Sequence, residues 1–399
     1  MLFLGYFSSL SGQRALCIYV TTAGAFFTEW LPMYVTYKYK LYSRCDRNKY
    51  LHREIDTFAG VYNHFIALHK RYYRRFKKYP SKYTLIKHLT RLKKTVRYSA
   101  WCLLPSQALQ NVIERIDFGY QKFFDKDNKR PPKFRSKFKY KSYTLKQAGY
   151  KFLDGNKMRI GKRVFRYHKS RDFDIESVKT VTIKRDSAGD LWLCVVAKAE
   201  AFKSFIVKTG KTAGFDFGLK TYLTASDGTK IQSPLFFNRN SRRVKKANRN
   251  LSRKKKGSNN RHRARINLAR VHRRVANQRR DYHWQLAYQL CKEYDVMCFE
   301  KLNIKAMKQL WGRKISDLGF SDFLTILKYV AKKTGKHVIQ IKQGLPSSKT
   351  CSACDNVKEN LELRERTFHC CKCGLEIDRD LNAAINIHRW GCPSVAEVA

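Results

Sequence analysis

Apolar and polar positions alternate with different periods along the chain. From Tyr34 the run Tyr-Val-Thr-Tyr-Lys-Tyr-Lys-Leu-Tyr repeats every second residue and is rich in β-formers, so it predicts a strand. Over residues 48 to 126 the period becomes helical. Ile55, Phe58, Tyr62 and Phe65 fall on one stripe, and Leu109, Val112, Ile116 and Tyr120 on another; the second helix starts after Pro105 with Ser106 as its N-cap. Two prolines at 131 and 132 end the helical pattern, because proline lacks the amide that a helix interior needs. Alternation returns in Lys179 to Arg185 and Leu191 to Val196, and Asp186-Ser-Ala-Gly-Asp between them predicts a hairpin. With the strand at Tyr34 these predict a small β-barrel (33–46 and 130–208) into which a helical domain (47–129) is inserted. The apolar run Leu16 to Phe27 is too short to span a bilayer, and Arg14 is its only upstream cation, so it reads as neither transmembrane nor secretory. Residues 1–32 read as an extension ahead of Met33, the alternative being an N-terminal element packed on the body.

Charge changes this picture from a fold to a partner. The 399 residues hold 83 lysines and arginines against 31 acids, a formal charge of +52 that repels itself unless a polyanion neutralises it. The cations run from Lys38 to Lys372 rather than clustering beside an apolar segment, which points to nucleic acid and away from a membrane surface. Aromatic content of 14% argues for packed domains and stacking surfaces over a disordered tail. In the helical region, His69-Lys-Arg-Tyr-Tyr-Arg-Arg-Phe mixes cations with aromatics in a way that suits phosphate contact. A second domain starts near Lys211. Within it, residues 239–280 carry 18 lysines and arginines and no acid, and Gly257-Ser-Asn-Asn splits them into two helical arms. Val271, Val275, Gln278, Tyr282, Leu286 and Leu290 line one face of the second arm. The other face is a phosphate rail, with Arg242, Arg243, Lys245, Lys246, Arg253, Lys254, Lys255, Lys256, Arg273 and Arg274 as its nucleic-acid contacts.

Two constellations carry chemistry. Cys351-x2-Cys354 and Cys370-x2-Cys373 have the spacing of paired knuckles, each aiming two thiolates at one centre. Four thiolates leave no open position, so one zinc ion held there is structural; Cys371 and His369 are possible substitutes, but only Cys370 with Cys373 keeps the spacing. The acids come in the order strand, strand end, helix start. Asp216 lies in Gly214-Phe-Asp-Phe-Gly, Glu300 closes the apolar run Val296 to Phe299, and Asp378 and Asp380 precede Leu-Asn-Ala-Ala-Ile-Asn-Ile. Alone, each is more often a cap or an ion-pair partner. Converging in a basic protein, such carboxylates bind two divalent cations about 4 Å apart that activate water and stabilise the leaving oxygen of a phosphodiester, and hard oxygen ligands select magnesium or manganese.

At these residues the chain resembles the TnpB (OrfB) family of transposon-encoded RNA-guided nucleases, relatives of the compact type V CRISPR effectors. The resemblance rests on Gly214-Phe-Asp-Phe-Gly-Leu-Lys, Asp281-Tyr-His-Trp, Phe299-Glu-Lys-Leu-Asn-Ile-Lys-Ala-Met, Lys349-Thr-Cys-Ser-Ala-Cys, Leu363-Arg-Glu-Arg-Thr-Phe-His-Cys and Asp378-Arg-Asp-Leu-Asn-Ala-Ala. It implies an α+β multidomain protein. A RuvC-like nuclease of RNase H fold would occupy 209–390, with the basic helical insert at 239–290, a zinc ribbon at 346–376 and a tail at 391–399. It further implies Asp216, Glu300 and Asp380 as catalytic acids, Asp380 being preferred to Asp378 for its place two residues before Asn-Ala-Ala. The barrel and helical insert would hold a guide RNA, double-stranded DNA would be the target, and the protein would act in the prokaryotic cytoplasm, at the nucleoid, as a monomer with its RNA. A cutting-and-joining transposase would need a tyrosine or serine nucleophile motif, which the sequence lacks, and the intact acids argue against a purely binding regulator or a transposase accessory protein.

Overall fold

The computed structural model describes residues 19–20, 26–27, 34–42, 47–198, 207–362 and 365–392. The reading of 1–32 as an extension falls outside these apart from two short paired strands, β1 (Tyr19–Val20) and β2 (Phe26–Phe27), and the tail beyond residue 392 falls outside them too. The chain forms two compact units, 1–200 and 201–399.

In the first unit, β3 (Tyr34–Leu41) leads into α1 (Arg47–Phe76), α2 (Lys82–Lys93), a 3-10 turn (Val96–Leu103) and α3 (Ser106–Phe124). Six strands follow: β4 (Ser142–Leu145), β5 (Tyr150–Leu153), β6 (Lys157–Ile160), β7 (Arg163–His168), β8 (Thr180–Arg185) and β9 (Leu191–Lys198). They pair antiparallel in the order β4-β8-β9-β3-β7-β6-β5. Alternation decides which face packs: Leu191, Leu193, Val195 and Ala197 are buried on β9, and Tyr37, Tyr39 and Leu41 on β3. The stripes of α1 and α3 pack in the same core, with Ile55, Phe58, Phe65, Leu109, Val112 and Ile116 buried. The β8–β9 hairpin turns on Gly189 at φ +85°, while Asp186 Oδ1 accepts from the amides of Ala188 and Asp190 at 2.9 Å each.

Two expectations are corrected here. Among the described residues no closure of the sheet into a barrel is found: its ladder ends at β4 on one edge and β5 on the other. The segment joining those edges is held by a helix instead of a strand, since Gln107 Oε1 on α3 takes the amides of Gln147 and Ala148 at 2.9 Å each. Nor is Ser106 the cap of α3. It is the first helical residue, and Pro105 stands at the cap with ψ 126°, its carbonyl accepting from Leu109 N at 3.1 Å.

The second unit is built on a five-stranded mixed sheet. β10 (Thr212–Phe217), β11 (Thr221–Ala225) and β12 (Lys230–Gln232) form a meander, α4 (Phe236–Ser252) and α5 (Asn259–Glu293) follow, and β13 (Val296–Glu300) returns parallel to β10. Then come α6 (Ile304–Leu318), α7 (Phe320–Thr334) and β14 (His337–Ile341), which lies parallel to β13. A small hairpin, β15 (Thr367–His369) and β16 (Glu376–Asp378), precedes α8 (Arg379–Gly391). The sheet order is β12-β11-β10-β13-β14.

Residue parity sorts the two faces of this sheet. Phe215 and Phe217 on β10 and Met297 and Phe299 on β13 join Leu286, Leu290, Phe320 and Phe323 of α5 and α7 in the larger core. Burial of each such aromatic contributes about 2 kcal/mol. On the other face, Val296 and Cys298 meet Ile341 and Ile387 of α8. Here α8 lies directly on the β10 backbone: a methyl group at Gly214 would overlap the Ala384 carbonyl oxygen and the His388 amide nitrogen. Chain entry into the sheet is clasped by a buried ion pair. Lys336, its side chain 1% exposed, binds Asp295 and donates to the Val207 carbonyl at 2.8 Å, while Asp295 accepts from the amides of Thr209 and Gly210 at 2.9 and 2.8 Å.

Gly214→Ala is expected to lift α8 from the sheet and destabilise the second unit by about 3 kcal/mol, read as a lowered urea midpoint. Burial pushes the Asp295 carboxyl up, but the Lys336 ammonium and the Thr209 and Gly210 amides outweigh it and hold the group at about 2. With the folded value depressed, the clasp is at full strength above the ordinary aspartate range and is lost as pH falls from about 4 toward 2. Hydrogen exchange of β13 amides should accelerate over that window, and Lys336→Met should reduce the pH dependence to the part that the Thr209 and Gly210 amides supply.

Candidate metal centre and carboxylate cluster

The four cysteines come from two tight turns that the fold brings face to face. Cys351 follows a turn in which the Thr350 amide bonds the Pro346 carbonyl at 2.9 Å, and Cys370 directly follows β15. All four Sγ atoms lie within 4.8 Å of one another, Cys351 to Cys373 at 3.6 Å and Cys354 to Cys370 at 3.5 Å. A tetrahedral zinc thiolate with Zn–S of about 2.3 Å separates its sulfurs by about 3.8 Å, so this donor set suits zinc. Cys371 and His369 stay outside the cluster. Cys371 is exposed and accepts from Asn356 Nδ2 at 3.5 Å, and His369 faces Glu376 at 3.7 Å.

Asp216 and Glu300 lie side by side, because the parallel register pairs Phe215 with Phe299 one residue earlier on each strand. Having the parity of Gly214 and Cys298, both carboxylates belong to the sheet face that α8 covers. Asp380 sits in the first turn of α8, and a Cβ built on Gly218 would lie 3.9 Å from its Oδ2. Asp216 feels the other two. Burial first, then the charges of Asp380 and Glu300, push the Asp216 carboxyl up to about 8, against an opposing hydrogen bond from the Phe217 amide and the charge of Arg379. Burial also raises Glu300, offset in part by a hydrogen bond from Ser347. Asp378 plays a different part. Its Oδ1 caps α8 by accepting from the amides of Asp380 and Leu381 at 3.0 Å each, and its Oδ2 pairs with Lys230 at 2.8 Å.

Of the ten cations named as nucleic-acid contacts, Arg242, Arg243, Lys245 and Lys246 on α4, Arg253 to Lys256 in the turn, and Arg274 on α5 are exposed, while Arg273 is half-buried. Gly257 turns the chain at φ +86°, and the turn is stapled by Arg261, which donates to the carbonyls of Leu251 and Lys254 at 2.9 Å each. The Asp281-Tyr-His-Trp stretch is largely a packing feature: His283 is buried and its Nε2 meets the Tyr222 hydroxyl at 3.1 Å. Sequence reading misses Ser347, Asn382 and Asn386, which lie between the two constellations. The available signal was a pair of asparagines four residues apart on a helix face that is otherwise small and apolar.

Similarity to known proteins follows the same division. Residues 204–310 match a family model described as "Probable transposase" (OrfB_IS605), and residues 320–387 match the "Cas12f1-like, TNB domain". A "Putative RNA-guided DNA endonuclease" of Streptomyces pristinaespiralis is 29% identical over 90% of this chain and 90% of its own length. "TnpB-like protein L79" of Acanthamoeba polyphaga mimivirus is also 29% identical, over 53% of this chain and 43% of its own. In fold, the chain resembles the protein in "Cryo-EM structure of the Cas12f1-sgRNA-target DNA complex", with a TM-score of 0.53 and 14% identity over 86% of this chain and 83% of that one. From its OrfB-type middle to its Cas12f1-like C-terminal part, the chain is similar to proteins named for RNA-guided DNA cleavage or as TnpB-like.

Proposed function

We propose that this chain is an RNA-guided DNA endonuclease of a transposable element, with a RuvC-like nuclease of RNase H type in its second unit. The observation that carries the reading is the convergence of Asp216, Glu300 and Asp380, where burial and mutual repulsion raise the Asp216 carboxyl to about 8. Three acids gathered at one sheet face, with Arg379 at 3.7 Å from Asp380 as a nearby cation, are an unfavourable arrangement that further positive charge among them would relieve. Their oxygens suit magnesium or manganese, and two such cations supply the activation of water and the stabilisation of the leaving oxygen. Asp216 and Glu300 fix the site from the rigid ends of adjacent strands, and Asp380 closes it from the helix. Zinc at Cys351, Cys354, Cys370 and Cys373 braces the chain between Glu300 and Asp380.

The basic arms of α4 and α5 then hold nucleic-acid phosphates. The helices and sheet of the first unit hold the guide RNA and read a short motif beside the target, while base pairing reads the remaining DNA. The protein works as a monomer with its RNA in a prokaryotic cytoplasm, at the nucleoid. The relative named "Putative RNA-guided DNA endonuclease" supports the reading as an RNA-guided nuclease.

Purified protein with its copurifying RNA should yield one discrete RNA species on sequencing and cut matching DNA in magnesium. Asp216→Ala should abolish the cutting and leave nucleic-acid binding intact in a filter assay; equal cleavage by this variant would end the assignment. Cys351→Ser or Cys354→Ser should release the zinc, measured by elemental analysis, and expose the C-terminal module to limited proteolysis.

A further inference from the structure

The segment that leads from α3 to β4 is an extended strap on the first unit, and its main chain is pinned along its length. A Cβ built on Gly119 would lie 2.9 Å from Cγ of Pro132, so the proline ring seats directly on the α3 backbone. On α1, the Tyr62 hydroxyl donates to the Lys133 carbonyl at 3.2 Å. Asn63 binds Arg135 through both ends of its carboxamide, Nδ2 to the carbonyl and Oδ1 to the amide, at 2.8 Å each. A turn follows, in which the Lys139 and Tyr140 amides bond the Ser136 carbonyl at 2.9 and 3.0 Å and Tyr140 is buried. Arg185 Nη2 donates to the Lys137 carbonyl at 3.1 Å. With the backbone held in this way, residues 133 to 139 are all exposed. Phe134 and Phe138 are 54% and 64% exposed among Lys133, Arg135, Lys137 and Lys139. Lys70 of α1 lies over the Phe134 ring, its Nζ 4.5 Å from the centroid.

We propose that this strap is a stacking platform for an unpaired stretch of the bound RNA, with Phe134 and Phe138 taking base faces and the neighbouring cations taking phosphates. The proposal rests on the reading of the first unit as the holder of a guide RNA. Residues 129–141 hold seven lysines and arginines and no acid, which suits a polyanion and opposes a basic or neutral protein partner. The two rings narrow the choice further. A phenylalanine left in water forgoes the burial that stabilises a fold, and here the anchored backbone keeps two of them outside. A duplex hides its base faces in its own stack and offers phosphates, for which lysine alone would serve. An exposed ring beside an ammonium matches a base and its phosphate in a single strand. Because Asn63, Tyr62 and Arg185 fix the main chain beforehand, the ordering cost that a flexible basic tail meets on binding is already met in folding.

Two measurements on the full chain test this. Ultraviolet cross-linking of the protein with its copurified RNA, read by mass spectrometry, should give nucleotide adducts at Phe134 or Phe138. The second uses the chain freed of RNA by high salt, with a short oligouridylate as the probe. Phe134→Ala and Phe138→Ala should each weaken its binding about tenfold and leave the salt dependence unchanged. Lys133→Ala should instead lower the slope of log affinity against log salt by about one. Phe134→Trp should bind like the parent, and blunt duplex DNA should not distinguish the phenylalanine variants from it. Unchanged oligouridylate affinity in the double alanine variant overturns the proposal. So does an equal loss on duplex DNA, or cross-linking of the two rings to a DNA target strand alone. If the parent carries no discrete RNA species, the guide reading falls, while the oligouridylate comparison still decides whether the strap stacks bases.

Discussion

Helix α8 lies on the sheet with no side chain between it and the β10 backbone at Gly214. Such an approach removes the usual layer of packing and makes the helix position a property of the backbone itself. Three features then take their positions from this one contact. Asp380 is fixed at the helix start, the small core of Val296, Cys298, Ile341 and Ile387 is closed by the helix, and the knuckle bearing Cys351 is held against its outer face by Asn382 and Asn386. A second close fit, at Gly391, repeats the device one strand over, where a Cβ would lie 2.5 Å from Cys298 Sγ.

Electrostatics sets an opposing constraint. With 83 cations and 31 acids, each acid has many cations to choose from, and several serve the fold as caps or clasps: Asp378 with Lys230, Asp295 with Lys336, Asp186 at its hairpin. Asp216 is different, since the charges that weigh most on it are other carboxylates, with Arg379 only a minor counterweight. A group of like charges kept together inside an otherwise cationic chain is held by tertiary structure against its own repulsion, and the rigid packing around α8 supplies that restraint.

Local patterns in the sequence were legible where one element determined them. The period of Leu191 to Val196 is the burial pattern of β9, the stripes of α1 and α3 are their buried faces, and Cys-x2-Cys spacing describes a turn that forms by itself. Closure of the first sheet was not legible, because it depends on whether the edges β4 and β5 pair, and Gln107 takes two amides of the segment that joins them. The cap of α3 slipped by one residue because proline and serine both suit a helix start. Of Ser347, Asn382 and Asn386, only the spacing of the two asparagines on one helix face was legible, and not what they bind. The asparagines' partners are main-chain groups of another segment, and nothing in the identity of an asparagine announces which group it will find.

The long sequence separation between the first and third carboxylates has a consequence for incomplete chains. A fragment ending before α8 still contains both basic helical arms and two of the acids, yet lacks Asp380 and leaves the sheet face at Gly214 uncovered. A single break before α8 would thus separate the cationic arms from the complete set of carboxylates, so the charge of the second unit and its acid cluster are separable properties of one chain.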